Sequence, residues 1–268
     1  MVSELREHHQ RAIENLVNEY KDDSRFPALI IGGSVAKGLA REDSDIDFMI
    51  VATDEEFQRR SHSGVNGDLF INRTDLCDYP GGFVDGKIIN MEYLHKVANK
   101  GNEPSRAAFD GAFIGYSRMR GLDEVFNNIH KYPEEDREQR MKSFYSMAFI
   151  QNWLMGEADR HNNLYTQTRA ASQLALFAGR LILAHNRVFF PYHKWFLQYI
   201  DKCTEKPADF LSNIDSLLKE PSSKTANLLF QSLKDFKDWG VTDLEAFGWF
   251  MEEVEWSWMN DNTPLEDL

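Results

Sequence analysis

Hydrophobic positions change their spacing along the chain, and each change predicts an element. Leu5, Ala12, Ile13, Leu16, Val17 and Tyr20 recur near a 3.6-residue period, which predicts an amphipathic helix with Ser3 as its N-cap. Phe26 to Ile31 is then a continuous apolar run that stops at Gly32-Gly33, and Ile46 to Ala52 (IDFMIVA) is another. Short apolar runs bounded by turn residues predict buried strands. Asp54 to Arg60 predicts a short helix capped by Thr53 or Asp54. Residues 61–82 hold Gly64, Gly67, Pro80, Gly81 and Gly82, so one strand inside long loops is expected there. Asp85-Gly86 carries a turn signal, and Lys87 to Leu94 (KIINMEYL) is the strand expected after it.

Beyond about residue 103 the pattern becomes helical. Glu134–Asn162 and Asn163–Asn186 predict two long helices broken near His161-Asn162-Asn163. Further helices fit residues 193–203, 207–219, 223–238 and 243–259, separated by Pro191, Pro207, Pro221 and Gly240. The expected class is α+β, with an α/β core and a short mixed sheet over residues 1–120 and an all-helical domain over 121–268.

Chemistry concentrates in Gly32-Gly33-Ser34-Val35-Ala36-Lys37-Gly38, followed by Ser44-Asp45-Ile46-Asp47. A Walker A loop carries Lys-Ser/Thr after its second glycine, whereas Leu39 follows Gly38, and the dinucleotide fingerprint needs another glycine spacing. Two glycines after a strand permit a sharp turn that brings bare backbone amides to a ligand. A helix starting at Ser34 would add its free N–H groups, and the Ser34 hydroxyl another donor, for a di- or triphosphate. Asp45 and Asp47 stand two residues apart at a strand start, so both carboxylates share one face and Ile46 points the other way. Such a pair repels unless cations bind, and Mg²⁺ shared with substrate phosphates is the fitting partner. Two ions would serve an in-line displacement. Glu92 is the first candidate for a third carboxylate on a neighbouring strand, with Asp85 the runner-up because its Asp-Gly context signals a turn.

Charge narrows the substrate class. Thirty basic against 43 acidic residues give a net charge of −13, which disfavours a polynucleotide partner held by phosphate neutralisation. A single nucleotide remains compatible, because a few local cations and metal ions suffice for it. Cys77 and Cys203 form neither a zinc spacing nor a disulfide framework, and a reducing cytoplasm is expected. The polar stretch Met1 to Tyr20 is unlike a signal peptide, and no apolar stretch nears the ~20 residues that cross a bilayer.

Gly-Gly-Ser, a short spacer containing Gly38, and Ser-Asp-Ile-Asp leading into an apolar strand together resemble the signature of the polymerase-β-like nucleotidyltransferase superfamily. The resemblance is nearest to its minimal and aminoglycoside-type members, and its motif proper spans residues 30–52. It implies a nucleotidyltransferase core followed by a helical domain. It also implies phosphate contacts at Gly33 and Ser34, metal ligation by Asp45 and Asp47, and a third acid mapped to Glu92. In the helical part, Arg169, Arg180, Asn186 and Arg187 precede the aromatic run Phe189-Phe190-Pro191-Tyr192-His193-Lys194-Trp195. This run is similar to a segment of bacterial proteins that carry the same domain. Related enzymes draw cations for the triphosphate from their helical domain, and by that analogy Lys194 is assigned to a phosphate. The aromatic residues themselves suit a core better than a ligand platform.

The activity implied is Mg²⁺-dependent transfer of a nucleoside monophosphate from an NTP, ATP first, to a hydroxyl of a small-molecule acceptor, with release of pyrophosphate. An aminoglycoside-type antibiotic is one such acceptor. A partner protein's Tyr, Ser or Thr is the alternative acceptor, and a nucleotide-binding module without catalysis is the alternative outside enzymology. The sequence sets neither the base preference nor the oligomeric state.

Overall fold

The computed structural model describes residues 5–62 and 68–260. It divides into two compact units, 1–131 and 132–268. Ser3, Gly64 and Gly67, assigned above to a cap and a loop, lie outside the described residues.

The first unit is α+β. Its elements run α1 (Glu7–Tyr20), β1 (Ala28–Ile31), α2 (Gly33–Ala36), β2 (Ile46–Val51), α3 (Asp54–Ser61), β3 (Phe70–Arg73), β4 (Val84–Ile89), α4 (Met91–Lys100), α5 (Glu103–Ala107), β5 (Phe113–Ser117) and α6 (Leu122–His130). The five strands form one mixed sheet in the order β3-β4-β2-β1-β5, in which only β2 and β4 pair in parallel. Alternation decides what each face meets. Leu29, Ile31, Ile46, Phe48, Ile50, Val84 and Ile88 point into a core with Ala12, Ile13 and Leu16 of α1. On the other face Ala28, Ile30, Val51 and Ile89 pack under Leu94 and Val97 of α4, Phe109, and Leu122, Val125 and Ile129 of α6. Helix α6, which the sequence expectation set beyond residue 120, belongs to this unit.

One expected strand was misplaced. Residues 87–94 are not a strand: β4 starts at Val84, three residues earlier, and ends at Ile89. Asn90 then accepts a hydrogen bond from the Tyr93 amide and starts α4. Asp85-Gly86 is not a turn but mid-strand. Gly86 is needed there because a Cβ would collide with the Phe48 ring of β2.

The second unit is helical, with α7 (Arg137–Arg160), α8 (Leu164–His185), α9 (Phe196–Lys202), α10 (Phe210–Lys219), α11 (Ser223–Phe236) and α12 (Asp243–Phe250). Asn162 takes a positive φ of 50° at the α7–α8 corner, and the Asn163 side chain caps α8. Ala170, Ala171, Ala175 and Ala178 keep the α8 surface low, so α7 and α8 pack closely around Tyr145, Ala148, Met155 and Leu174. Asp159 of α7 accepts from the Ser223 amide (2.7 Å) and from Gln167 (2.7 Å), tying α7 to the starts of α11 and α8. The single helix expected over 243–259 is interrupted. After α12, the chain widens into a π turn at Met251–Glu255, with Trp256 N–H on the Met251 carbonyl, and tightens into a 3₁₀ turn at Ser257–Asn260. Among the described residues no helix is long and apolar enough to cross a membrane.

Candidate active site

Along β2 and β4, one face of the sheet turns from apolar to charged. On β2 the residues facing α4 and α6 run from buried Val51 through half-buried Met49 to half-buried Asp47, and Asp45 follows just before the strand. On β4 the same face runs from buried Ile89 through exposed Lys87 to exposed Asp85. The covering helices lie over the apolar end. The charged end is the more open one, as the cost of burying charge requires.

Register brings the acids together. Asp47 is paired with Asp85 across the parallel β2–β4 ladder, and Asp85 with Asn72 across β3. In-register residues of neighbouring strands project to the same side. The Asn72 amide lies 3.5 Å from the Asp85 carboxylate and donates toward it. On the opposite side of β2 the glycine turn closes in: Gly32 N–H donates to the Asp47 carbonyl at 2.9 Å. Gly33 has φ +66°, and a Cβ there would collide with the Asp47 carboxylate. Two independent constraints, backbone conformation and the adjoining acid, therefore demand glycine at 33. Helix α2 is a single turn starting at Gly33, so the first amides of that turn have no acceptor within it. Ser34 is buried in this turn.

The loop that delivers Asp45 is clamped from two elements. Tyr79 Oη donates to the Ser44 carbonyl at 2.7 Å, and Ser44 Oγ accepts from the Arg41 amide at 2.8 Å. Arg6 at the start of α1 pairs with the Glu42 carboxylate and also donates to the Ala40 carbonyl. The rings of His8 and His9 pack against Tyr79. Burial pushes the Tyr79 hydroxyl well above its ordinary range, with Cys77 and the Asp45 carboxylate adding to it, so Tyr79 acts as a fixed donor. Lys37, after the glycine turn, is nearly buried and donates to the Ala107 carbonyl at 2.8 Å, tying the turn to α5.

Gly33, Ser34, Asp45 and Asp47, all read from the sequence, lie on β2 and the turn beside it. Glu92 does not join them. It lies in the first turn of α4 with an exposed side chain, paired with Lys96 at 2.7 Å, and that hydrogen bond lowers its pKa. Asp85, the runner-up, stands on the strand adjoining β2, in register with Asp47. Lys194 belongs to the second unit, in the 3₁₀ turn His193–Trp195, where its ammonium stands 5.0 Å from the Trp195 ring centroid. The neighbouring aromatic run divides as its core reading expected for Phe190, which is buried, whereas Tyr192 is exposed. Asn72 and Lys87, which share this face, carried no expectation from the sequence. The signal was the alternation Val84, Gly86, Ile88 inward with Asp85 and Lys87 outward, which the Asp-Gly turn reading concealed.

Asp45, Asp47 and Asp85 offer carboxylate oxygens, the donors that Mg²⁺ takes. Among the described residues no three acidic, His or Cys side chains are gathered as a ready-made metal cage.

Residues 13–96 match the family model described as a nucleotidyltransferase domain. The span holds the glycine turn and Asp45, Asp47, Asp85 and Glu92. Residues 13–96 thus form a nucleotidyltransferase domain, a transferase domain consistent with the polymerase-β-like superfamily that the motif resembles. A solved structure described as a nucleotidyltransferase-like protein from Exiguobacterium sibiricum is similar over 92% of this chain and 80% of its own, at 11% identity and a TM-score of 0.47. No curated protein matches the chain.

Proposed function

We propose that this nucleotidyltransferase domain transfers a nucleoside monophosphate from an Mg²⁺-bound NTP, ATP first, to a hydroxyl of a small-molecule acceptor. The observation that carries the reading is the packing of Gly33 against Asp47 while Asp85 stands in register on the adjacent strand. Backbone amides suited to phosphate beside carboxylates suited to a metal support that reading. The acceptor oxygen attacks the α-phosphorus, the bond from that phosphorus to the bridging oxygen of the β-phosphate breaks, and pyrophosphate leaves. Asp85 takes or orients the proton of the attacking hydroxyl, the role first assigned to Glu92. The Gly33 and Ser34 amides receive phosphate oxygens. Asp45 and Asp47 would hold Mg²⁺, which when bound supplies charge neutralisation and polarises the phosphoryl group. Positioning and preorganised charge supply most of the acceleration in such transfers. The acidity of the chain, −13 net, supports a small acceptor over a polynucleotide.

The test is calorimetric titration of ATP, GTP, CTP and UTP with Mg²⁺ into wild type and into the double variant Asp45→Asn/Asp47→Asn. Metal-dependent binding of at least one nucleotide by wild type, weakened at least ~10-fold in the double variant, is the expected result. Equal affinity in both proteins would overturn the assignment of the two acids.

A further inference from the structure

We infer that the β3–β4 half of the open sheet face is the acceptor subsite, and that it selects an acceptor bearing an anionic group beside a flat apolar one. This rests on the function proposed above and deepens it. In an in-line displacement the attacking hydroxyl and the leaving pyrophosphate occupy opposite sides of the α-phosphorus. The sheet order places β1, with the glycine turn at its end, on one side of β2, and β4 followed by β3 on the other. Pyrophosphate held by the turn therefore leaves over β1, and the acceptor arrives over β4 and β3.

Three side chains of that half share the face of Asp47 and Asp85. Asn72 is in register with Asp85, and one step further along the strands Phe70 is in register with Lys87. Successive same-face residues on a strand lie roughly 7 Å apart, so Lys87 and Phe70 sit within one small substrate's length of the acids. Phe70 is 64% exposed, the kind of aromatic exposure that a fold gains nothing from. Lys87 is exposed and forms no ion pair among the described residues, although acidic residues outnumber basic ones 43 to 30. An ammonium and an aromatic ring side by side bind a carboxylate or phosphate attached to a planar group. The same ammonium repels a polycation, which turns the acceptor class away from the aminoglycoside type expected from the sequence. Asn72, beside Asp85, is placed to hold the reacting hydroxyl.

The probes are 3-phenyllactate and phenylalaninol, which share a ring and an aliphatic hydroxyl and carry opposite charges. Their binding is measured by saturation-transfer NMR on the full chain loaded with Mg²⁺ and a non-hydrolysable ATP analogue, at low salt. Wild type is expected to prefer phenyllactate by about tenfold. Lys87→Glu should reverse the preference and Phe70→Ala should weaken both probes. In each variant the nucleotide Kd should stay within about twofold and the melting temperature near that of wild type. Equal binding of the two probes, binding of neither, or preference for phenylalaninol by wild type overturns the inference. So does a Lys87→Glu effect on nucleotide affinity rather than on probe preference, since Lys87 would then read the donor. Failure of the underlying function is separate, because wild type would then bind no Mg²⁺-nucleotide at all.

Discussion

Two glycines, one in each unit, show how differently the two parts of this molecule use a missing side chain. Gly33 holds φ +66° with the Asp47 carboxylate where its Cβ would be. Gly179 lies within helix α8, in ordinary helical conformation, and a Cβ there would meet the rings and methyls of Phe196 and Ile200. The first close approach brings polar backbone to an acid at the place proposed above for the nucleotide phosphates. The second brings two apolar surfaces together in a core of alanines, leucines and aromatics. Close packing thus serves chemistry in the α/β unit and cohesion in the helical one. The same contrast holds for charge: the first unit buries Glu56 among arginines and Lys37 against carbonyls, whereas the second buries mainly hydrocarbon.

The sharpest way to break this comparison lies within the first unit, between two acids of unequal placement. Asp85→Asn should lower the single-turnover rate of pyrophosphate release on the order of 100-fold or more, the cost of losing a group engaged in proton transfer. Glu92→Gln, on the exposed turn of α4, should stay within about twofold of wild type, because an exposed helical ion pair contributes little. The reverse outcome would return the third carboxylate to Glu92. Next in size is the glycine pair. Gly33→Ala should weaken nucleotide binding at least ~10-fold and cost about 1–3 kcal/mol of stability, through strain at positive φ and displacement of Asp47. Gly179→Ala should cost a similar 1–3 kcal/mol by overpacking while leaving nucleotide affinity unchanged. If Gly179→Ala weakened nucleotide binding as much as Gly33→Ala, the division of roles would be wrong.

The smallest effect is acid sensitivity. Hydrogen bonds from Arg59 and Arg60 outweigh burial and hold the Glu56 carboxyl at about 2. A folded-state pKa below the ordinary carboxylate value contributes stability above about pH 4.5 that is lost as pH falls toward 2. The loss amounts to about 2 kcal/mol once the solvent exposure of Arg59 is allowed for. Amide exchange in α3 and β2 should therefore speed up over that window, and Glu56→Gln should flatten the dependence. All six tryptophans lie beyond residue 150, so tryptophan fluorescence followed over the same titration reports the second unit separately.

What could be read from the sequence follows from how local each signal is. The glycine turn and the Asp45/Asp47 pair lie within a few residues of each other, with strands that declare themselves by continuous apolar runs, and both appear at the expected positions. The break between α7 and α8 was legible because Asn162 and Asn163 are a turn residue and a cap in direct succession. The choice between Glu92 and its runner-up Asp85 was not, because which of them stands beside Asp47 depends on register between strands far apart in sequence. Asp85-Gly86 has the composition of a turn, and only the Phe48 ring across the ladder explains a glycine in mid-strand. Glu92 sits in an apolar context that suits a strand, yet Asn90 caps a helix two residues before it. Strand β5 gave no clear signal: it is short, contains Gly115, and joins β1 at the sheet edge with a register shift. The interruption after α12 is equally silent, since Met251 to Glu255 has ordinary helical composition.

The central claim, that the charged end of the β2–β4 ladder beside the glycine turn is the metal–nucleotide site, is tested most directly by paramagnetic broadening. Mn²⁺ substituted for Mg²⁺ in the presence of ATP should broaden the amide resonances of residues 32–34, 45–47 and 84–86 most strongly, and Asp47→Asn should abolish the effect. Broadening centred on Glu92, or on residues of the helical unit, or unchanged in the Asp47→Asn variant, would contradict it.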